Sequence, residues 1–100
     1  MDYKVIIAPR AIIDLEEMVR YIAQDDPQAA AKLGYALIEK THVLGDWPEL
    51  GRVVPEFGDP AIRELILRPY RIVYRIDVAK KIIGVARFWH AARGQPELLP

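Results

Sequence analysis

Most of the side chains that could do chemistry lie in the second half of the chain, and two of them lie in one alternating segment. In the run Tyr70–Asp77, Arg71 and Arg75 alternate with apolar and aromatic residues. Side chains along a β-strand point alternately to the two faces of a sheet, so both arginines share one face and the tyrosines share the other. Guanidinium groups form paired hydrogen bonds with phosphates and carboxylates, and this face therefore predicts an anion site for a phosphate or an acidic peptide. A solvated polar face, with Asp77 as local partner, explains the same pattern.

Polar residues of the types needed for metal-independent RNA cleavage also occur in this half. Glu56 could take a proton from a 2′-hydroxyl, and Arg71 could stabilise the charge that builds on the phosphate. His90 could donate a proton to the leaving 5′-oxygen, because histidine is a common general acid in catalysis. Ordinary structural roles account for the same residues. The candidates for binding an anion or an acidic partner are all arginines: Arg52, Arg63, Arg71, Arg75 and Arg93.

The charges are distributed unevenly between the two halves of a chain whose net charge is zero. Residues 1–50 carry five Lys/Arg and nine Asp/Glu, whereas residues 51–100 carry nine and five. Seven of those nine cations are arginine. Zero net charge argues against indiscriminate binding to nucleic acids, and the imbalance indicates either a basic surface or two halves that neutralise each other across the fold.

Local signals predict the elements of the first half. Tyr3–Ala8 is short and rich in β-forming residues, so it predicts a strand. Apolar residues recur at helical spacing over Arg10–Ala23, which predicts a helix. The pair Asp26–Pro27 combines a capping carboxylate with a proline suited to a first helical position, and it predicts a second helix that ends at Gly45. The two helices, joined by a short turn, form a helical hairpin.

The second half predicts a loop followed by strands. Proline and glycine are frequent in residues 46–60, which indicates a long loop with a brief extended piece at Arg52–Val54. Three strands follow at Ile62–Leu67, Tyr70–Asp77 and Ile82–Phe88, and their short connections favour an antiparallel meander. The order of elements predicts an α+β fold in which the helical hairpin packs on one face of the sheet.

Length and composition limit the kind of protein this can be. The chain has 100 residues, 52% of them hydrophobic, so we expect a single packed domain over residues 1–100 with a flexible tail at 94–100. It contains no cysteine and only two histidines, and we expect no disulfide, metal or cofactor. The sequence has neither a signal-peptide pattern nor a membrane-spanning apolar run, so we expect a cytoplasmic location.

Eight short and distinct motifs follow one another through nearly the whole chain in a characteristic order. They are Tyr3–Ile6, Ala11–Leu15, Tyr21–Ala23, Asp26–Pro27, Pro48–Arg52, Arg63–Leu65, Tyr70–Arg75 and His90–Arg93. This ordered set resembles the RelE/ParE toxin superfamily, of the plasmid-stabilisation type. The resemblance implies a growth-arresting toxin of a type II toxin–antitoxin module that is neutralised by a cognate antitoxin. We expect the antitoxin to cover the arginine-bearing sheet face, with the helical hairpin as the alternative docking place.

The resemblance implies two different targets for such a toxin. ParE-like members poison DNA gyrase, whereas RelE-like and YoeB-like members cut messenger RNA in the ribosomal A site. In the YoeB-like pattern, Glu56 falls at the catalytic carboxylate, Arg71 at the phosphate-contacting arginine, Arg63 at a supporting arginine and His90 at the histidine near the C-terminus. A third alternative is an inactive relative that retains only antitoxin binding.

Two departures from the nuclease pattern favour the ParE-like branch. YoeB-like toxins have a tyrosine after the histidine, where this chain has Ala91, and the lysine pair of RelE-like toxins is not evident near Arg52. The segments Pro48–Arg52 and His90–Arg93 instead resemble sequences grouped with ParE. These features together favour inhibition of gyrase as the expected activity.

Overall fold

The structure of the chain, a computed structural model, describes residues 2–98. The elements in chain order are β1 (Lys4–Ile7), α1 (Pro9–Ala23), α2 (Pro27–Val43), β2 (Arg52–Val53), β3 (Ile62–Leu67), β4 (Tyr70–Asp77) and β5 (Ile82–His90), followed by a 3-10 turn at Ala91–Arg93. The boundaries agree with the predicted elements to within two residues. Among residues 2–98, neither helix is long and apolar enough to cross a membrane.

The two helices begin where the sequence predicts. Pro9 occupies the first turn of α1, and the Asp26 side chain accepts a hydrogen bond from the Ala29 backbone N–H at 3.0 Å, which caps α2. The helices pack against each other and against one face of the sheet. The predicted helical hairpin is confirmed.

The five strands form one sheet in the order β1-β5-β4-β3-β2. β1 is parallel to β5, and the other neighbours are antiparallel. Tyr70, Ile72 and Tyr74 of β4 pack into the main core beneath the helices. The alternation predicted for β4 is thus confirmed, and the α+β architecture with it.

The opposite face of the sheet, here called the open face, carries a second and smaller apolar cluster. Val54, Ile62 and Val73 are buried there, with Phe57 and Leu98 packed against them. Leu98 belongs to the C-terminal segment, which therefore folds back over the sheet.

Residues 94–98, which belong to the tail expected to be flexible, contact the sheet at several points. The indole N–H of Trp89 donates to the Gly94 carbonyl at 3.0 Å, and Arg87 Nη1 donates to the Glu97 carbonyl at 2.6 Å. Pro96 is buried. Whether the segment moves or orders on binding stays a prediction, and residues 99 and 100 lie outside the described part of the chain.

The long loop before β3 is anchored at its start by buried polar contacts. The Tyr74 hydroxyl donates to the Pro48 carbonyl at 2.7 Å and accepts from the Gly51 N–H at 2.9 Å. Arg63 donates to the Gly51 carbonyl at 3.0 Å. A Cβ at position 51 would lie 2.5 Å from the Glu64 carbonyl oxygen, so this close approach requires glycine. The anchored loop therefore positions the following residue, Arg52, at the edge of the sheet.

Candidate anion-binding site

Arg71 lies on the open face between two carboxylates. Its Nη1 and Nη2 donate to the two oxygens of Glu56, each at 3.0 Å, which forms a bidentate pair. Its Nε donates to Oε1 of Glu64, and Oε2 of Glu64 accepts from Arg52 Nε at 2.7 Å. These four side chains form a continuous chain of ion pairs, Glu56–Arg71–Glu64–Arg52, which we call the ionic network.

Strand pairing explains why the ionic network assembles. Arg52 of β2 pairs with Glu64 of β3, and Glu64 pairs with Val73 of β4. Paired residues on adjacent strands share a face, and Arg71 lies two residues before Val73, so these charged groups project to the same side. Glu56 comes from the loop after β2 and closes over them.

Burial differs strongly among the four members. The Glu64 side chain is 0% exposed and that of Arg71 is 11% exposed, compared with 29% for Glu56 and 62% for Arg52. A carboxylate as buried as Glu64 requires cationic partners, because an unpaired charge inside a protein is costly. Glu64 therefore has a structural role, and removing either Arg52 or Arg71 would destabilise the fold by leaving this carboxylate with one cationic partner fewer.

The pairing of Glu56 with Arg71 stabilises the ionised forms of both groups. The hydrogen bond from Arg71 holds the pKa of Glu56 below its usual value, and the same bond raises the pKa of Arg71. A carboxylate held as an anion by a guanidinium accepts protons less readily. In this arrangement Glu56 is therefore a poor general base. Three nitrogens of Arg71 already donate to carboxylates.

An open cleft of about 700 Å³ lies beside the ionic network. Arg52, Arg68 and Arg71 line it together with Glu56, and Ile66 contributes an apolar wall. The three cations outnumber the two carboxylates of the ionic network, Glu56 and the buried Glu64, so the cleft keeps one net positive charge. The cleft can therefore accept an anion, provided that the anion competes with Glu56 for Arg71.

The remaining arginines predicted for the anion site do not converge on this cleft. Arg75 is exposed on the open face but follows Arg71 by four strand residues, roughly 13 Å, which is too far for both to bind one phosphate. The Arg93 guanidinium lies 4.1 Å from the centre of the Trp89 ring. Arg63 pairs with Tyr74, so it shares the helix-covered face, and it donates to backbone carbonyls of the anchored loop.

His90 lies apart from Glu56 and Arg71. It pairs with Tyr70 and shares that residue's face, with the two rings edge to face at 5.2 Å. Its Nδ1 accepts a hydrogen bond from the Ala92 N–H at 3.0 Å and caps the 3-10 turn. Arg71 pairs instead with Trp89 on the open face. The structure thus brings together two of the three candidate catalytic residues and puts the third on the other side of the sheet.

Two charged residues that matter to the site were not predicted from the sequence. Glu64 lies within the predicted strand Ile62–Leu67, and its alternation with neighbours was a usable signal that it faces the side of Arg71. Arg68 follows that strand and gave no pattern of its own. Within residues 2–98 no group of three or more His, Asp or Glu side chains is placed to hold a metal ion.

A helical hairpin over one face of a five-stranded sheet, with arginines on the other face, defines a small α+β domain. Residues 5–94 match the family model of the ParE toxin of type II toxin–antitoxin systems, parDE, and the chain belongs to this family. The predicted RelE/ParE membership is confirmed.

Individual relatives agree with this assignment. Toxin RelE2 of Caulobacter vibrioides is 33% identical over 84% of this chain and 90% of its own length. Putative toxin Y4kP of Sinorhizobium fredii is 35% identical, with 90% of each chain covered.

Solved structures show the same fold. The chromosomal ParDE system from P. aeruginosa superposes with a TM-score of 0.72 at 22% identity, covering 89% of this chain and 96% of that chain. The toxin–antitoxin complex RelBE2 from Mycobacterium tuberculosis gives a TM-score of 0.64 at 22% identity, covering 90% and 99%.

Proposed function

We propose that this type II toxin arrests growth as a ParE-like inhibitor of DNA gyrase and that a cognate antitoxin neutralises it. The observation that carries the choice of target is the separation of Glu56 and Arg71 from His90. General acid–base catalysis requires its groups within hydrogen-bond reach of one reacting centre. Here the carboxylate and the histidine lie on opposite faces of the sheet, so the three groups do not form one site.

The state of each group supports the same proposal. Arg71 holds the pKa of Glu56 down, which makes it a weak base. The Nδ1 of His90 accepts a backbone hydrogen bond, and its ring packs against Tyr70. An inhibitor that acts by surface contact with a topoisomerase needs none of these groups to react.

A RelE/YoeB-like ribonuclease is the second candidate, and one observation favours it. Glu56 and Arg71, which match the YoeB-like carboxylate and arginine, are in direct contact beside an open cleft. On the ribosome, the missing acid could come from outside the chain. A chain that is not toxic at all would instead be an inactive relative that binds only the antitoxin.

Two assays run in parallel separate the targets. Purified chain is added to gyrase in a supercoiling assay and to ribosomes programmed with a message. We expect supercoiling to stop while the message stays intact. We also expect the double variant Glu56→Gln with His90→Ala to remain fully toxic in cells. Message cleavage that this double variant abolishes would overturn the proposal in favour of the nuclease.

The antitoxin is expected to dock on the open face. RelBE2 of Mycobacterium tuberculosis was solved as a toxin–antitoxin complex, which supports the proposal of a protein partner for this chain. Arg75 gives a clean test of the docking surface because it is exposed and outside the ionic network. Arg75→Glu should weaken the complex by about tenfold, as expected when a charge at an interface is reversed. Unchanged affinity would indicate docking elsewhere, such as on the helical hairpin.

A further inference from the structure

The two carboxylates that bind Arg71 hold it in different ways. Glu64 lies on a central part of the sheet, is fully buried and also binds Arg52. Moving it away would leave both Arg52 and Arg71 without its negative charge, which would be costly. Glu56 lies on a loop and is 29% exposed, and Arg71 is the hydrogen-bond partner of both its oxygens. Of the two, Glu56 is therefore the carboxylate that can be exchanged.

Glu56 occupies the outer edge of the guanidinium, the edge next to the cleft. The Nη1 and Nη2 groups there form a flat pair of donors, which matches any group with two oxygens in one plane. Glu64 fixes the inner edge through Nε, so the outer pair keeps its direction when Glu56 is absent. The binding geometry is thus built into the sheet rather than into the loop.

The walls of the cleft indicate what kind of anion fits. The exposed side chain of Ile66 faces the cleft, as do Pro55 and Pro69, so much of the lining is apolar. A nucleic-acid strand carries a charge at every nucleotide and would gain little from such walls. An acidic side chain on an otherwise apolar protein segment matches both the arginines and the apolar surface.

We propose that this cleft is a carboxylate-binding site for an acidic protein segment, and that Glu56 is its internal occupant, which the incoming carboxylate replaces on Arg71. The inference rests on the proposed function in one respect, because the antitoxin is the expected source of the segment. The exchange replaces one carboxylate by another, so Arg71 keeps its bonds. Arg68, which is exposed at the cleft, gains an anion to bind.

The direct test measures binding of short peptides to the full chain without any antitoxin. One peptide carries a single glutamate between leucine and alanine residues, and its matched peptide carries glutamine instead. We expect Glu56→Gln to bind the glutamate peptide about tenfold more tightly than the unaltered chain does, if the internal pair is closed about nine-tenths of the time. The glutamine peptide should bind both proteins equally weakly.

A matched variant separates site opening from a general loss of negative charge. Glu16→Gln makes the same substitution at an exposed position of α1. The proposal is overturned if Glu56→Gln gains no more affinity than Glu16→Gln. It is also overturned if a single-stranded oligonucleotide of similar length shows the larger gain, since the site would then be one for phosphodiesters.

Removing a cation from the cleft should have the opposite effect. Arg68→Ala is expected to weaken binding of the glutamate peptide several-fold, whereas Arg20→Ala, which removes an exposed arginine of α1, should not change it. Equal losses in the two variants would contradict the site and indicate a diffuse electrostatic attraction. If Glu56→Gln fails to fold, Glu56→Asp serves instead, because the shorter side chain draws back from Arg71 and should give a smaller gain in affinity.

The outcome is independent of the toxin's target. The peptide measurement uses the chain alone, so it can fail while gyrase is still inhibited, and it can succeed when gyrase is unaffected. Failure of the site and failure of the proposed function are therefore observed in different assays.

Discussion

Asp14 of α1 and Arg87 of β5, 73 residues apart, form a buried ion pair that joins the helical layer to the sheet. Arg87 Nε and Nη2 donate to the two carboxylate oxygens at 2.7 and 2.9 Å, and the Phe88 N–H donates to Asp14 Oδ2 at 3.1 Å. The bond to Asp14 raises the pKa of Arg87. Since Arg87 also binds the Glu97 carbonyl, this pair connects α1, β5 and the C-terminal segment.

Breaking this pair should destabilise the fold strongly. In Asp14→Asn the guanidinium of Arg87 stays buried without a counter-charge, and we expect a loss of about 3 kcal/mol in the free energy of unfolding. Urea denaturation followed by circular dichroism measures it. Glu16→Gln, on the exposed side of the same helix, should change stability by less than about 0.5 kcal/mol. A loss in Asp14→Asn as small as in this control would show that the pair is dispensable.

The Tyr74 hydroxyl should contribute more to stability than one hydrogen bond would, because it binds two backbone groups. Tyr74→Phe leaves the N–H of Gly51 and the carbonyl of Pro48 without their partner, and we expect a cost of about 1–3 kcal/mol. Hydrogen exchange at the Gly51 amide should accelerate as well. Tyr35→Phe at an exposed position of α2 is the control, and equal effects of the two substitutions would contradict the anchoring role.

Glycine at position 51 should be required for close packing. An alanine Cβ would lie 2.5 Å from the Glu64 carbonyl oxygen and 2.7 Å from the Tyr74 hydroxyl oxygen, so backbone must shift. We expect Gly51→Ala to cost about 2 kcal/mol or more in thermal unfolding. Gly84→Ala makes the same change in β5, where nothing lies within 4 Å of the added Cβ, and it should be tolerated. Comparable losses at both positions would refute the close-packing argument.

The stability contributed by Glu56 should disappear in acid. Pairing with Arg71 places the folded-state pKa of Glu56 below the unfolded value of 4.5, so its contribution is complete above pH 4.5 and is lost as pH falls through the folded pKa. Near pH 7 we expect Glu56→Gln to be less stable than the unaltered chain by about 1 kcal/mol, a small value because the pair is partly exposed. Unfolding measured from pH 7 to pH 3 should show this difference shrinking towards zero. A difference that stays constant or grows in acid would show that the pair with Arg71 is not its source.

Much of the architecture was predictable because its signals are local. Helical spacing in Arg10–Ala23 and the Asp26 cap indicated the hairpin, and the alternation of β4 correctly separated the core tyrosines from the arginine face. The order of motifs along the chain indicated the toxin family. The signals for the helices and for β4 depend on neighbours within a few residues, whereas the family signal depends on the order of short motifs along the chain.

Which charges meet was decided by the tertiary structure. The sequence grouped Glu56, Arg71 and His90 by residue type, but the one-residue offset between Arg71 and Tyr70 puts His90, the partner of Tyr70, on the other face of the sheet. Arg71 joins Glu56 and Glu64, and Arg87 joins Asp14, through strand register and the placing of β1 beside β5. Sequence alone therefore determined the elements, the faces of β4 and the family. Only the tertiary structure showed that Arg71, the arginine of the expected anion site, already binds two carboxylates. Strand register and strand order bring these residues together, and they have no local sequence pattern in common.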